Sequence, residues 1–104
     1  MLSNAEADKV RSELSRTRAR IEEIEGEIKK ADYEIAQVRD EIEEENDIRC
    51  SKDENQAFYS TVSRSIAKLE WELDKHYAAR RELIAKSKAS RERRDALYRK
   101  LEDG

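Results

Sequence analysis

The sequence predicts an all-α protein built around a long coiled-coil helix. Charged residues make up 45% of the 104 residues and hydrophobic residues 37%, which is too few for an ordinary globular core. The chain has no proline and only two glycines, so almost nothing interrupts a helix. Its aliphatic residues recur with a seven-residue period, which is typical of long helices that bury one narrow stripe.

The first helix is predicted to begin near Asn4, because Ser3 and Glu6 form the Ser-x-x-Glu pattern of a capping box. A first heptad register then covers residues 5–45. Its a and d positions hold Ala7, Val10, Leu14, Thr17, Ile21, Ile24, Ile28, Ala31, Ile35, Val38 and Ile42. Five consecutive heptads predict a coiled coil, since the apolar face of a single surface helix drifts at 3.6 residues per turn.

A second heptad register covers residues 57–102. Its apolar a and d residues are Tyr59, Val62, Ile66, Leu69, Leu73, Leu83, Leu97 and Leu101, with His76 at a d position. Phe58 begins the most apolar segment of the chain, which we interpret as core. Ile48 already fits this register as a d residue, so the register shift or turn is predicted within residues 43–56.

The segment 43–56 decides between two topologies. A straight helix would form a parallel homodimer, whereas a break near residues 46–51 would give an antiparallel helical hairpin. Ser51 and Glu54 repeat the capping-box pattern, which favours the hairpin. The whole chain, residues 1–104, is in either case one elongated coiled-coil region.

Charges beside the seam favour the parallel homodimer. In a parallel pair four contacts between g and e positions are attractive and one is repulsive, and Glu13 facing Arg18 is an example. A hairpin aligned about residue 50 or 51 gives three repulsive contacts and two attractive ones. In that alignment Asp32 faces Glu70, whereas Glu13 faces Lys86.

The predicted interface between two copies consists of aliphatic a and d residues. They are Val10, Leu14, Ile21, Ile24, Ile28, Ile35, Val38, Ile42, Val62, Ile66, Leu69 and Leu73. The expected partner is therefore the protein itself, as a dimer, with a further protein partner bound elsewhere.

Candidate docking features lie at Trp71 and in the basic residues 80–100. Trp71 occupies an f position, which faces away from the seam, and residues 80–100 hold nine bases and three acids. The docking candidates are Trp71, Arg80, Arg81, Lys86, Lys88, Arg91, Arg93 and Arg94. Such a run can bind an anionic surface such as an acidic cytoskeletal filament. Nucleic acid is a weaker alternative, because no known reading motif accompanies residues 80–100.

Catalysis finds no support in the sequence. It has no glycine-rich phosphate loop and no nucleophile beside an oriented base, so we predict no catalytic or cofactor-binding residue. His76 and Cys50 are the sole histidine and cysteine, so no Cys/His metal set is expected. No apolar run approaches the roughly 18 residues of a membrane span, and the N-terminus lacks a signal-peptide pattern. An intracellular protein, cytoplasmic or nuclear, is expected.

The predicted function is a non-enzymatic coiled-coil dimerisation, scaffold or spacer module that mediates protein–protein interaction. One alternative is a helical-hairpin adaptor or inhibitor that binds a target through its outer faces. A second alternative is a rod whose basic C-terminal part docks on an anionic surface such as a cytoskeletal filament or nucleic acid.

Overall fold

The computed structural model describes the backbone of residues 2–51 and 56–103 and the side chains of residues 2–49 and 60–103. Helix α1 spans Asn4–Ser51 and helix α2 spans Gln56–Asp103, each with 48 residues. These two helices are the regular elements of the described ranges, which contain no strand. The all-α prediction is confirmed.

The start of α1 lies where the sequence placed it. The backbone N–H of Glu6 donates to Ser3 Oγ at 3.2 Å, and the Ser3 hydroxyl donates to Glu6 Oε1 at 3.1 Å. The backbone N–H of Ala7 donates to the Ser3 carbonyl at 2.9 Å. The Ser3 side chain therefore satisfies the Glu6 amide, which a helix start leaves without an intrahelical partner, and the Ser3 carbonyl accepts the first helical bond, as in an N-cap residue.

Helix α1 extends to Ser51, the last residue of the predicted break near residues 46–51, and α2 begins at Gln56, the last residue of the predicted shift or turn at 43–56. Ile48, expected at a d position of the second register, is 43% exposed. Glu45 and Arg49 are half-buried instead, and they lie at the next d and a positions of the first register. The rest of the predicted turn, residues 52–55, and the side chains of residues 50–59 lie outside the described residues, and with them the predictions on Cys50 and Phe58.

Two compact units divide the chain. Unit 1 consists of Met1–Lys29 and Glu82–Gly104, and unit 2 consists of Lys30–Arg81. Each unit thus combines a segment of α1 with a segment of α2. The core of each unit forms where the heptad stripes of its two segments meet.

The core of unit 1 is aliphatic on α1 and partly polar on α2. Leu14, Ile21 and Ile24 are buried on α1, and Leu97 is buried on α2. Ile24 and Leu97 are the most enclosed, at 1% and 0% exposure. The α2 segment also buries Ser87 and half-buries the a-position residue Arg94.

The core of unit 2 is aliphatic on both segments. Ala31, Ile35 and Val38 are buried on α1, and Val62 and Ile66 are buried on α2. Further along α2 the seam becomes polar, with half-buried His76 and Arg80. All the buried residues of both units occupy a or d positions of the predicted registers, so the heptad pattern locates the core.

Replacing Gly26 by alanine is expected to stabilise the protein. Gly26 lies inside α1, is exposed, and has open space where a Cβ would stand. Alanine costs up to about 1 kcal/mol less than glycine in a helix interior. Thermal unfolding followed by circular dichroism should show a higher midpoint for the alanine variant than for the native chain, and a lower midpoint would contradict the helical environment of Gly26.

Candidate interaction surfaces

The residues predicted to join two copies are covered within a single chain. The buried ones are Leu14, Ile21, Ile24, Ile35, Val38, Val62 and Ile66. Val10, Ile28, Ile42, Leu69 and Leu73 are half-buried. The seam that the sequence predicts therefore exists inside each unit, between α1 and α2 of the same chain. Pairing of two copies in parallel stays a prediction.

Ion pairs join α1 to α2 in unit 1. Arg93 Nη2 lies 2.7 Å from Glu13 Oε2, and Arg91 Nη2 lies 2.7 Å from Glu25 Oε1. The later acid on α1 pairs with the earlier base on α2, which is the order expected when two segments run in opposite directions. These side chains are about half exposed, so each pair contributes about 0.2–1 kcal/mol.

Unit 2 shows the same order of contacts. The Arg80 guanidinium donates to the Asp32 carboxylate, and His76 Nδ1 lies 3.5 Å from Glu34 Oε2. Arg80 and His76 are seam residues of α2 that reach sideways to acids beside the α1 seam. Polar residues at a and d positions thereby find partners within the same chain.

The observed ion pairs differ from those of a hairpin aligned about residue 50 or 51. Glu13 was expected opposite Lys86 in a hairpin, but it pairs with Arg93, seven residues further along α2. Asp32 was expected opposite Glu70, a repulsive contact, but it pairs with Arg80, ten residues further along. In the alignment that the chain adopts, these contacts are attractive. The repulsion between Asp32 and Glu70 that an axis at residue 50 or 51 predicts is therefore not observed at Asp32.

Much of the basic run at residues 80–100 is neutralised by the chain itself. Arg80, Arg91 and Arg93 pair with acids of α1, and Arg94 Nε lies 3.3 Å from Asp95 Oδ1. The remaining docking candidates, Arg81, Lys86 and Lys88, are exposed. Of the basic docking candidates, four thus form ion pairs within the chain and three face solvent.

Trp71 is the centre of an exposed basic face on α2 of unit 2. The indole is 59% exposed, and Lys75 Nζ lies 3.7 Å from the ring centroid, a cation–π contact. We define the Trp71 stripe as Arg64, Lys68, Trp71, Lys75 and Ala78, all of them exposed. Their spacing of four, three, four and three residues places them on one helix face. Sequence reasoning singled out Trp71 but did not count Arg64, Lys68 and Lys75 among the docking candidates, although this spacing is readable in the sequence.

An acidic face lies on α1 of the same unit. We define it as Asp40, Glu43, Glu44 and Asp47, which occupy b, c and f positions of the first register and are exposed. No base belongs to this set. Over the described ranges, these carboxylates take part in no ion pair.

No other chemistry appears in the part of the chain that the structure describes. No group of three or more histidine, cysteine, aspartate or glutamate side chains is arranged to hold a metal ion there. Neither described helix carries a stretch apolar enough to cross a membrane. Comparison of the chain with protein-family models, curated proteins and solved structures gives no match.

Proposed function

We propose that this protein is a non-enzymatic helical interaction module that binds a protein partner through the outer faces of its helices. The observation that carries the proposal is the contrast between the seam and the Trp71 stripe. Seam aliphatics are buried, and several seam-side bases are paired, within one chain. Trp71 and its neighbouring bases remain exposed.

The chemistry of the Trp71 stripe suits an acidic protein surface. Tryptophan and arginine are enriched among the residues that dominate binding energy at protein interfaces. A tryptophan buries roughly 150–250 Å² when it is covered, and exposed bases around it attract carboxylates. The stripe thus combines one apolar anchor with a basic border, which is the anatomy of a small protein-binding site.

A scaffold or spacer role is compatible with this proposal. The helices would hold the bound partner on a rigid element rather than on a loop. Homodimerisation through the predicted a and d residues would require two copies to exchange their seams, because one chain already buries them. The interaction role therefore rests on the outer faces and not on the seam.

The variant Trp71→Glu is expected to lose the protein partner while keeping its helices. The substitution removes the apolar anchor, and the new carboxylate stands four residues before Lys75, a spacing that supports the helix. Affinity purification from the source cells with quantitative mass spectrometry should recover at least one protein roughly tenfold less with the variant, a loss of about 1.4 kcal/mol. Circular dichroism should be unchanged.

Tyr98→Glu is the matched control, because Tyr98 is also an exposed aromatic on α2 but lies in unit 1. This variant should recover the same proteins as the native chain. Equal recovery by the native chain, Trp71→Glu and Tyr98→Glu would contradict a docking role for Trp71.

A further inference from the structure

Unit 2 exposes two outer faces of opposite charge. The Trp71 stripe holds the bases Arg64, Lys68 and Lys75 and is flanked by one exposed acid, Asp74, whereas the acidic face holds four carboxylates and no base. Within the described residues none of these charged groups forms an ion pair. Lys75 makes a cation–π contact with the Trp71 ring. Both faces thus leave their charges available to another molecule.

The spacing of the two faces matches. Lys68 and Lys75 are seven residues apart on α2, and Asp40 and Asp47 are seven residues apart on α1. Seven residues correspond to about 10.5 Å along a helix. Two lysine–aspartate pairs can therefore form together, with the helices in either relative direction. In both directions Trp71 would stand at the level of Glu43 or Glu44, between the two pairs.

The two faces cannot be satisfied by one neighbour. Trp71 and Asp47 occupy f positions, which lie opposite the seam. In unit 2 the two segments pack seam to seam, so their f positions point in opposite directions. A contact between the α2 face of one copy and the α1 face of another leaves one free face on each copy. Such a contact is heterologous and continues from copy to copy.

We infer that the Trp71 stripe of one copy binds the acidic face of a second copy, so that the chain associates head to tail through unit 2. This inference rests on the proposed interaction function and names its partner. A second copy is the favoured partner, because this same chain carries an acidic face whose charge and spacing match the Trp71 stripe.

Association of this kind is sensitive to salt and to concentration. The Debye length falls from about 30 Å at 0.01 M salt to about 3 Å at 1 M. Light-scattering mass of the reduced protein should rise above the 12.2 kDa of one chain with concentration at low salt and fall back at high salt. A mass equal to one chain at every concentration and salt level would overturn the inference. So would a dimer of constant mass that salt does not dissociate.

Charge reversal on each face supplies the decisive comparison. Lys68→Glu with Lys75→Glu makes both faces acidic, and Asp40→Lys with Asp47→Lys makes both faces basic. Each double variant alone should show no growth in mass, because its two faces repel. Mixing the two variants should restore association, since the native acidic face of the first meets the native stripe of the second. Absence of recovery on mixing, with both variants fully helical, would overturn the inference.

Lys9→Glu with Lys29→Glu is the matched control, because it changes the net charge equally at two exposed positions of unit 1. It should associate like the native chain, and a loss of association equal to that of the stripe variant would overturn the inference. Vesicles containing about one-third phosphatidylserine test an anionic lipid surface. Binding to vesicles through Lys68 and Lys75 without self-association would replace the second copy by lipid.

Different results would contradict the second-copy inference and the proposed interaction function. If the native chain stays at single-chain mass but Trp71→Glu still loses a co-purifying protein, the second-copy inference is wrong and the interaction function stands. If the Trp71→Glu variant self-associates and co-purifies with the same proteins as the native chain, both proposals are wrong.

Discussion

Replacing Leu97 by alanine is expected to lower the free energy of unfolding by about 2–5 kcal/mol. Leu97 is fully enclosed at 0% exposure and is the main aliphatic residue that α2 buries in unit 1. A two-helix unit has few core residues, so the cavity left by the Leu97→Ala substitution should remove a large share of its stability. Urea unfolding followed by the helical circular dichroism signal should show an earlier midpoint and, at the large end of this range, incomplete helicity without denaturant.

Tyr98→Ala is the control for this substitution. Tyr98 is the next residue on α2 and is 39% exposed, so its truncation should change the free energy of unfolding by about 0.5 kcal/mol or less. Equal shifts for Leu97→Ala and Tyr98→Ala would show that α2 does not present its heptad stripe to α1 in unit 1.

Reversing Arg80, Arg91 and Arg93 to glutamate together is expected to cost about 1–6 kcal/mol at low salt. Each reversal replaces an exposed attractive contact, worth about 0.2–1 kcal/mol, by a repulsive one of similar size. The partners are Asp32, Glu25 and Glu13. Because these side chains are half exposed, about 1 M salt should remove most of the difference in unfolding midpoint between the variant and the native chain.

The complementary exchange tests whether these pairs form within one chain. Adding Asp32→Arg, Glu25→Arg and Glu13→Arg to the reversed chain should restore most of the lost stability. The recovery relative to the native chain should also be the same at every protein concentration, because the pairs are intramolecular. Recovery that appears only at high protein concentration would instead indicate pairing between copies.

The heptad registers could be predicted because burial in a helix pair follows a seven-residue period and little else. Ile24 and Leu97 lie at predicted d positions and are the most enclosed residues of the described chain. Even Ser87 is buried at the a position that the register assigns to it. Periodicity fixes which side of a helix faces its partner, and that information is local.

The alignment of one segment against the other could not be read from the same pattern. A heptad repeat is unchanged by a shift of seven residues, so the seam alone does not say which heptads meet. Charged residues favour one seven-residue shift over another only once the residue about which the chain folds back is known. Moving the partner of Glu13 from Lys86 to Arg93 keeps that contact attractive, whereas moving the partner of Asp32 from Glu70 to Arg80 changes its sign.

The proposed docking surface was predicted only in part for a related reason. Residues 80–100 look available in the sequence, because a run of bases does not reveal which acids lie opposite. In the folded chain Arg91 and Arg93 are paired. The bases around Trp71 are spread over several helical turns and are easily overlooked beside a continuous run. Exposure and pairing together identify them.

The described seam of α2 holds two half-buried arginines at a positions, whereas that of α1 holds one, Arg49. Arg80 and Arg94 stand at a positions, where a parallel pair of two α2 helices would bring each guanidinium toward its own copy. Against α1, Arg80 instead reaches a carboxylate. We therefore expect α2 to pair with α1 in preference to a second α2. A chain cut between its two helices should yield two peptides that recognise each other from solution in preference to pairing with themselves.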